Sequence, residues 1–347
     1  MEGESSTYSV FLLGDSGKPK LDGTDEVLNL LKVKLSEKQE NSIAIFLGDN
    51  IYPNGLPDLN DPKRSLAEKR IKIQLDTLSG YKGKVFFISG NHDWNKGKKG
   101  GLEYVRRQEK FIEDYLDRGN VYLPDMGCPG PVEVDISPFF RIIFINTQWW
   151  VQKGKKPIGP KEGCLARSES DFYHLFDDLL YKSNKTTLIV AHHPLYSKAI
   201  HGGAFSYKQH IFPLRFLNKN LFVPLPVAGS LYPLYRKYFG AVEDISYPPY
   251  RRMKKKLLQV MNHHENLIYV AGHDHNLQYI KKHGLHYLIS GSGSSAAYVR
   301  KGRSSVFSYS VKGFLELQVN NTRSNILAWG ADASEPAGIK LYEGQMF

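Results

Sequence analysis

The sequence predicts an α/β fold on three observations. Strand-like runs of Val, Ile, Leu and Phe recur along the chain, and amphipathic helical patterns lie between several of them. Short polar motifs rich in Gly, Asp, Asn and His stand directly after the strand-like runs. Strands that alternate with helices argue for buried, largely parallel pairing.

The strand-like runs cover residues 8–13, 43–47, 85–89, 141–146, 187–191, 267–271 and 286–290. Residues 25–35 open with acidic side chains behind a Thr24 cap, which suits a helix N-terminus. A second helix is expected over 102–116. A third is marked by Phe172, Leu175, Phe176, Leu179 and Leu180, which fall at helical spacing just before the strand at Thr187. Further on the runs shorten to 306–309, 314–319 and 326–329, joined by turn residues such as Asn320-Asn321 and Ser324-Asn325. They predict antiparallel strands that close a second sheet rather than an independent domain. With no internal repeat and no low-complexity linker, residues 1–347 are expected to form a single domain.

One segment departs from this pattern. Residues 204–250 are dense in Phe, Tyr, Leu and Pro, with 221–227 the most apolar piece and Tyr232, Tyr235 and Tyr238 following. The segment reads either as an irregular flap packed on the domain or as a peripheral membrane or protein contact.

The hydrophobic fraction of 41% and the charged fraction of 23% are those of an ordinary globular chain. No stretch approaches the roughly 20 apolar residues that a membrane-spanning helix needs. The start, Met1-Glu2-Gly3-Glu4-Ser5, has neither the basic residues nor the apolar run of a signal peptide, so the chain is either intracellular or lacks its leader. A net charge of +11 would draw anionic substrates, or is simply a solvated basic surface. Much of it is clustered at Lys96, Lys98 and Lys99 and in the run Arg251, Arg252, Lys254, Lys255 and Lys256. The two cysteines, Cys128 and Cys164, could pair in an oxidising compartment, and neither has metal-ligand spacing to another cysteine.

Chemistry concentrates in five motifs: Asp15-Ser16-Gly17, Gly48-Asp49-Asn50-Ile51-Tyr52, Gly90-Asn91-His92-Asp93, His192-His193-Pro194 and Gly272-His273-Asp274-His275. Together they offer carboxylates, a phenol, an amide and imidazoles, a mixture suited to a pair of first-row metal ions. Any one motif alone reads as a turn or a helix cap. All five at strand ends, where open α/β sheets gather their ligands, predict one shared rim. The reading is a two-metal hydrolase of phosphate esters.

In order and spacing these motifs resemble the calcineurin-like metallophosphoesterases, and within them the purple acid phosphatases. The discriminating positions are Gly17, where many relatives carry a histidine ligand, and Tyr52, which those relatives lack as a ligand. The stretch from Gly272 to Tyr279 is similar to the small, tartrate-resistant type. The likeness runs from about Ser9 to the last strands and weakens across the aromatic insertion, which the small type does not require.

The resemblance implies a sandwich of two mixed β-sheets flanked by helices. It implies one metal ion, typically ferric, held by Asp15, Asp49, Tyr52 and His275. Its neighbour, Fe(II), Zn(II) or Mn(II), would be held by Asp49, Asn91, His192 and His273, with Asp49 bridging. His192 is chosen over His193 because the family's ligand stands two residues before the proline. His92 and His201 match the family's outer-sphere histidines, the first to hydrogen-bond a phosphate oxygen or help protonate the leaving alkoxide, the second as the general acid or a transition-state clamp. An exported protein is also implied.

The donor types support this independently. Phenolate and carboxylate oxygens stabilise a hard trivalent ion, while imidazole and amide oxygen suit a softer divalent one. Two carboxylates and a phenolate set about −3 against about +5, and the residual charge attracts a phosphate dianion and makes a metal-bound hydroxide available. The expected activity is hydrolysis of phosphate monoesters, on a phosphorylated small-molecule or protein substrate. The alternatives are a phosphodiesterase or nucleotide pyrophosphatase with the same site, and a non-enzymatic anion- or membrane-binding module with structural metals. No nucleic-acid motif is present, so no specific nucleic acid is expected.

Overall fold

A computed structural model describes residues 7–216, 218 and 220–347. The segment Met1–Ser5, read above for a leader, and positions 217 and 219 of the aromatic insertion lie outside the described residues. The strands are β1 (Tyr8–Leu13), β2 (Ser42–Phe46), β3 (Lys84–Phe87), β4 (Val132–Ser137), β5 (Phe140–Phe144), β6 (Thr186–Val190), β7 (Leu267–Ala271), β8 (Leu277–Lys282), β9 (Leu285–Ser290), β10 (Ser305–Tyr309), β11 (Gly313–Val319), β12 (Ser324–Asp332) and β13 (Glu335–Gln345). The helices are α1 (Glu26–Lys38), α2 (Arg64–Asp76), α3 (Gly101–Leu116), α4 (Gln148–Val151), α5 (Glu169–Tyr181), α6 (Tyr207–Ile211), α7 (Leu231–Tyr238) and α8 (Pro248–Met261).

Two mixed sheets face each other, in the orders β13-β12-β11-β1-β2-β3 and β10-β8-β9-β7-β6-β5-β4. Their inner strands, such as β1, β2, β5, β6 and β7, are apolar on both faces because each face has its own partner layer. Val10 and Leu12 of β1, Ile43 and Ile45 of β2, and Phe144, Val190 and Val270 of the second sheet meet between the sheets. The alternate residues Phe11, Leu13, Ala44 and Phe46 pack outward on Val27, Leu31, Ile71 and Val105 of α1, α2 and α3. On the far side Ile143, Ile189 and Tyr269 pack on Phe172 and Phe176 of α5 and Met253 and Leu257 of α8. Each such side chain contributes roughly 1.5–3 kcal/mol by burial, and a one-residue slip would exchange the two faces of a strand.

Two sequence expectations are revised, and one open question is answered. The cap of α1 is Asp25, whose carboxylate accepts from Val27 N–H and Leu28 N–H at 3.2 and 3.1 Å, while the Thr24 hydroxyl donates to Asp22. The terminal strands do not all close the second sheet: β10 joins it, but β11 pairs antiparallel with β1, and β12 and β13 extend that first sheet as successive antiparallel neighbours. Sheet membership is decided by long-range pairing such as Val10 with Leu317, which no local pattern encodes. Finally, Cys128 and Cys164 are joined as a disulfide across a separation of 36 residues.

The parallel strands β1, β2 and β3, and β5, β6 and β7, end on one rim. Their exit loops are stitched together by backbone bonds, Asp15 N–H to Gly48 C=O at 3.0 Å and Gly272 N–H to His192 C=O at 3.1 Å. Among the described residues no helix is long and apolar enough to cross a membrane.

Candidate metal centre

The first donors are set by tight loops directly after the strands. Asp15, Asp49 and His273 take left-handed backbone conformations, with φ of 58°, 55° and 70°. Such conformations cost of order 1–3 kcal/mol each outside glycine and need surrounding bonds to hold them. Those bonds are present: Asp15 Oδ2 accepts from His273 N–H at 2.7 Å, and Asp49 Oδ1 accepts from His92 N–H at 2.8 Å. Beneath them the fully buried Asp93 carboxylate accepts from the backbone N–H groups of Asn50, Ile51 and Gly90 at 3.0, 3.2 and 2.8 Å.

Glycine is required at two places. A Cβ on Gly90 would lie 2.3 Å from Asp49 Oδ1, and one on Gly17 would lie 2.5 Å from the Asp49 carbonyl oxygen. The Gly17 backbone instead bonds the Asp49 loop in both directions, with its N–H on Asp49 C=O and its C=O on Tyr52 N–H, each 3.0 Å.

The predicted donors collect into two groups that share one residue. In the first, the Tyr52 hydroxyl lies 3.0 Å from Asp15 Oδ1, 3.2 Å from Asp49 Oδ2 and 3.0 Å from His275 Nε2. In the second, Asn91 Oδ1 lies 3.0 Å from His192 Nε2 and 3.1 Å from His273 Nδ1. Asp49 belongs to both, because its Oδ1 is 3.5 Å from His192 Nε2. Donor atoms of Asp15, Asp49 and His192 lie within 4.8 Å of one another, and all three residues are buried.

The far sides of the rings fix which atoms face inward. His192 Nδ1–H donates to Leu47 C=O at 2.8 Å, and His273 Nε2–H donates to Glu243 C=O at 2.8 Å. Asn91 Nδ2 donates to Glu243 Oε1 at 3.0 Å, so its amide oxygen points the other way. Asn91 Oδ1 therefore faces two nitrogen lone pairs with no proton between them. Such a set of acceptors is satisfied by a cation.

The titration of these groups agrees. Burial, followed by the neighbouring His201, His193 and His192, pushes His273 well below its ordinary value, leaving a neutral ring with a free lone pair. Burial would raise the Asp49 carboxyl, but His92 and His192 hold it below its usual value, ionised. Burial and then the Asp15 and Asp49 carboxylates push the Tyr52 phenol far up, so only a nearby cation would make it a phenolate. The donor set thus fits two positive ions.

The two outer histidines flank this cluster. His92 Nδ1 lies 2.6 Å from Pro53 C=O, and its ring meets Tyr52 edge-on with centroids 4.3 Å apart. The His201 ring packs on His273 with centroids 4.2 Å apart. His193, fully buried, stands outside both donor groups and pairs with the Thr147 hydroxyl at 2.9 Å.

Sequence reading missed the contribution of the aromatic insertion. Its end folds back over the rim, so that Glu243 holds Asn91 and His273 while Asp244 Oδ1 takes His201 Nδ1–H at 3.0 Å. Arg236 grips the other oxygen of Asp244 at 2.8 Å through Nε. The signal was available: Glu243 and Asp244 are the only carboxylates in 204–250.

Known proteins share this plan. Residues 8–291 match the calcineurin-like phosphoesterase family. Purple acid phosphatase 4 of Arabidopsis thaliana is 23% identical over 213 residues, covering 61% of this chain and 59% of the relative. Purple acid phosphatase 3 of the same plant is 24% identical over 213 residues, covering 60% of this chain and 54% of the relative. The aligned stretch thus spans less than two thirds of either relative. Two solved structures have the same fold. GAP50, titled the anchor in the inner membrane complex of Plasmodium, has a TM-score of 0.57 at 17% identity, over 98% of this chain and 88% of that one. PhoD has a TM-score of 0.57 at 8% identity, over 98% and 72%. Since the family match runs from the start of β1 to the end of β9 and takes in every loop that feeds the rim, the chain belongs to the calcineurin-like phosphoesterase family.

Proposed function

We propose that this protein is a dinuclear metal-dependent phosphatase of the purple acid phosphatase kind, hydrolysing phosphate monoesters. The observation that carries the reading is the position of Asp49, whose two oxygens reach different donor groups, 3.2 Å from the Tyr52 hydroxyl and 3.5 Å from His192 Nε2. In this reading one ion is held by Asp15, Asp49, Tyr52 and His275, and the other by Asp49, Asn91, His192 and His273. Iron(III) suits the oxygen-rich first set, and iron(II), zinc or manganese the second. When bound, the ions supply an activated nucleophile and neutralise charge on the phosphate.

The chain's own groups orient the substrate and move the proton. His92, with its Nδ1–H spent on Pro53 C=O, presents Nε2 toward the centre, 3.8 Å from Asp49 Oδ2, where it hydrogen-bonds a phosphate oxygen. His201 gives Nδ1–H to Asp244, which leaves Nε2 to protonate the departing alkoxide. The Gly17 and Tyr52 combination and the stretch 272–279 favour the small, tartrate-resistant type.

Metal analysis and a visible spectrum on the protein as purified test the centre. Two metals per chain are expected, with a charge-transfer band that disappears in Tyr52→Phe. Fewer than two metals after reconstitution would overturn the reading. Turnover of nitrophenyl phosphate against its bis-ester separates a monoesterase from a phosphodiesterase.

A second role fits the outer face of the insertion. Val227, Leu231 and Phe239 are 89%, 69% and 68% exposed, and Phe222, Tyr235 and Tyr238 lie open with them. An apolar aromatic surface of this kind beside basic residues makes a peripheral contact with a membrane or protein. Liposome flotation of the intact protein and of a variant lacking residues 218–238 tests the membrane version, which an unchanged result removes.

A further inference from the structure

Beside the candidate centre lies a cleft of about 780 Å³ whose rim carries Lys96, Lys98, Lys99, Lys153 and Lys155. Two chain segments link its lining to the centre. The loop that begins at Asn91 folds back on itself, with Lys96 N–H on Asn91 C=O at 2.8 Å and Asn95 N–H on His92 C=O at 3.0 Å, and so delivers the lysines next to both residues. The opposite wall is Val242, whose neighbour Glu243 accepts from Asn91 Nδ2.

The charges in this cleft are mostly uncompensated. Lys155 pairs with Glu162 at 2.8 Å, but Lys96, Lys98, Lys99 and Lys153 make no ion pair among the described residues. One carboxylate, Glu103, also lines the wall. Like charges crowded together weaken a fold unless a ligand neutralises them, and a cleft of one sign focuses anions. The backbone adds to this field. Helix α3 starts in the cleft at Gly101, and its N-cap Gly100 offers no side chain to its first N–H groups.

A further observation concerns Gln152, which is 3% exposed and lines the cleft. Its Nε2 donates to Lys155 C=O at 2.9 Å, but its Oε1 is buried with no partner. That oxygen is itself closed off, so Gln152 shapes the wall rather than touching a ligand. No aromatic ring lines the cleft, so nothing there stacks a base.

We infer that this cleft is a second phosphate subsite, and that the preferred substrate is a condensed phosphate chain whose next units lie on the lysines while its terminal unit sits at the metal centre. The inference rests on the hydrolytic reading above. Each turnover consumes one water: its oxygen bonds to the terminal phosphorus and the bridging P–O bond breaks. Orthophosphate leaves, and the bridging oxygen departs on the shortened chain with a proton.

The test compares tripolyphosphate with nitrophenyl phosphate on the metal-replete protein, and measures tripolyphosphate binding by calorimetry on protein stripped of metal. The intact protein should favour tripolyphosphate in kcat/KM by at least about tenfold, an advantage that salt erodes. Lys98→Glu/Lys99→Glu should remove that advantage and weaken binding about as much. Lys82→Glu/Lys84→Glu makes the same charge change at the opposite end of β3 and should retain both. An unchanged kcat/KM ratio and unchanged binding in Lys98→Glu/Lys99→Glu overturn the subsite. Tripolyphosphate binding that depends on Lys98 and Lys99 without turnover of either substrate keeps the subsite and removes the hydrolytic reading.

Discussion

His201 and Asp244 face each other with Nδ1 and Oδ1 3.0 Å apart, although one follows β6 and the other ends the aromatic insertion. Asp244 is 1% exposed and Arg236, which clamps it, 8%. Burial works against the charged form of His201, but the hydrogen bond to Asp244 and the Asp274 charge raise its pKa overall. The insertion therefore supplies hydrogen-bond partners to the candidate site and is not only a cover for it.

Replacing Asp244 by Asn should lower kcat by about tenfold or more, a part of the roughly 10²–10⁴ that a positioned acid supplies in full. The alkaline limb of the pH profile, where His201 loses the proton it must donate, should move to lower pH with it. Arg236→Ala leaves a buried carboxylate without its guanidinium and should cost about 3–5 kcal/mol in urea denaturation. An unaltered pH profile in Asp244→Asn would show that Asp244 does not act through His201.

Glu243 offers a separate handle on the metals. Its carboxylate fixes the Asn91 amide and its carbonyl fixes the His273 ring. Glu243→Ala should lower metal affinity about 10- to 100-fold in a chelator competition, as loss of an outer partner does. Glu243→Gln keeps an acceptor and should restore most of it. Equal retention of metal in the alanine variant and the intact protein would contradict this.

Gly90→Ala tests the packing under the bridging carboxylate. The added Cβ would sit 2.3 Å from Asp49 Oδ1 and 2.7 Å from His192 Cε1. The expected result is a loss of about 1–3 kcal/mol together with reduced metal content. Full metal loading at unchanged stability would mean that the loop yields without moving Asp49.

Glu109 on α3 governs part of the stability against pH. Burial pushes its carboxyl up from 4.5 to about 7, although it accepts from Met126 N–H at 2.9 Å. A raised folded value means that the native state holds the proton more tightly than the unfolded chain. The stabilisation is complete below the unfolded value and is lost as pH rises through about 7, by at most about 3 kcal/mol. Glu109→Gln should flatten the difference between urea midpoints at about pH 5 and about pH 8. A variant with the same slope as the parent would show that another group is responsible.

The strands that carry the site were legible because their signal is local. Residues 8–13 and 267–271 coincide with β1 and β7, and every polar motif follows a strand as expected. The helix α2 escaped notice because its sequence is dominated by Lys, Arg, Glu and Gln, with only Ala67, Ile71, Gln74 and Leu75 buried. Edge strand β13 escaped because most of it is exposed and polar.

By itself the sequence determined the alternation of strand and helix, the place of each glycine-flanked turn, and the hard and borderline donors those turns hold. These follow from dihedral preference, periodicity and ligand chemistry within a few residues. Only the tertiary structure decided that β11 pairs with β1 and carries β12 and β13 into the same sheet, that Asp15 bonds the backbone of a residue 258 positions away, and that Glu243 and Asp244 return to the rim. Those outcomes depend on how two sheets pack face to face, and packing is a property of surfaces that distant segments form together.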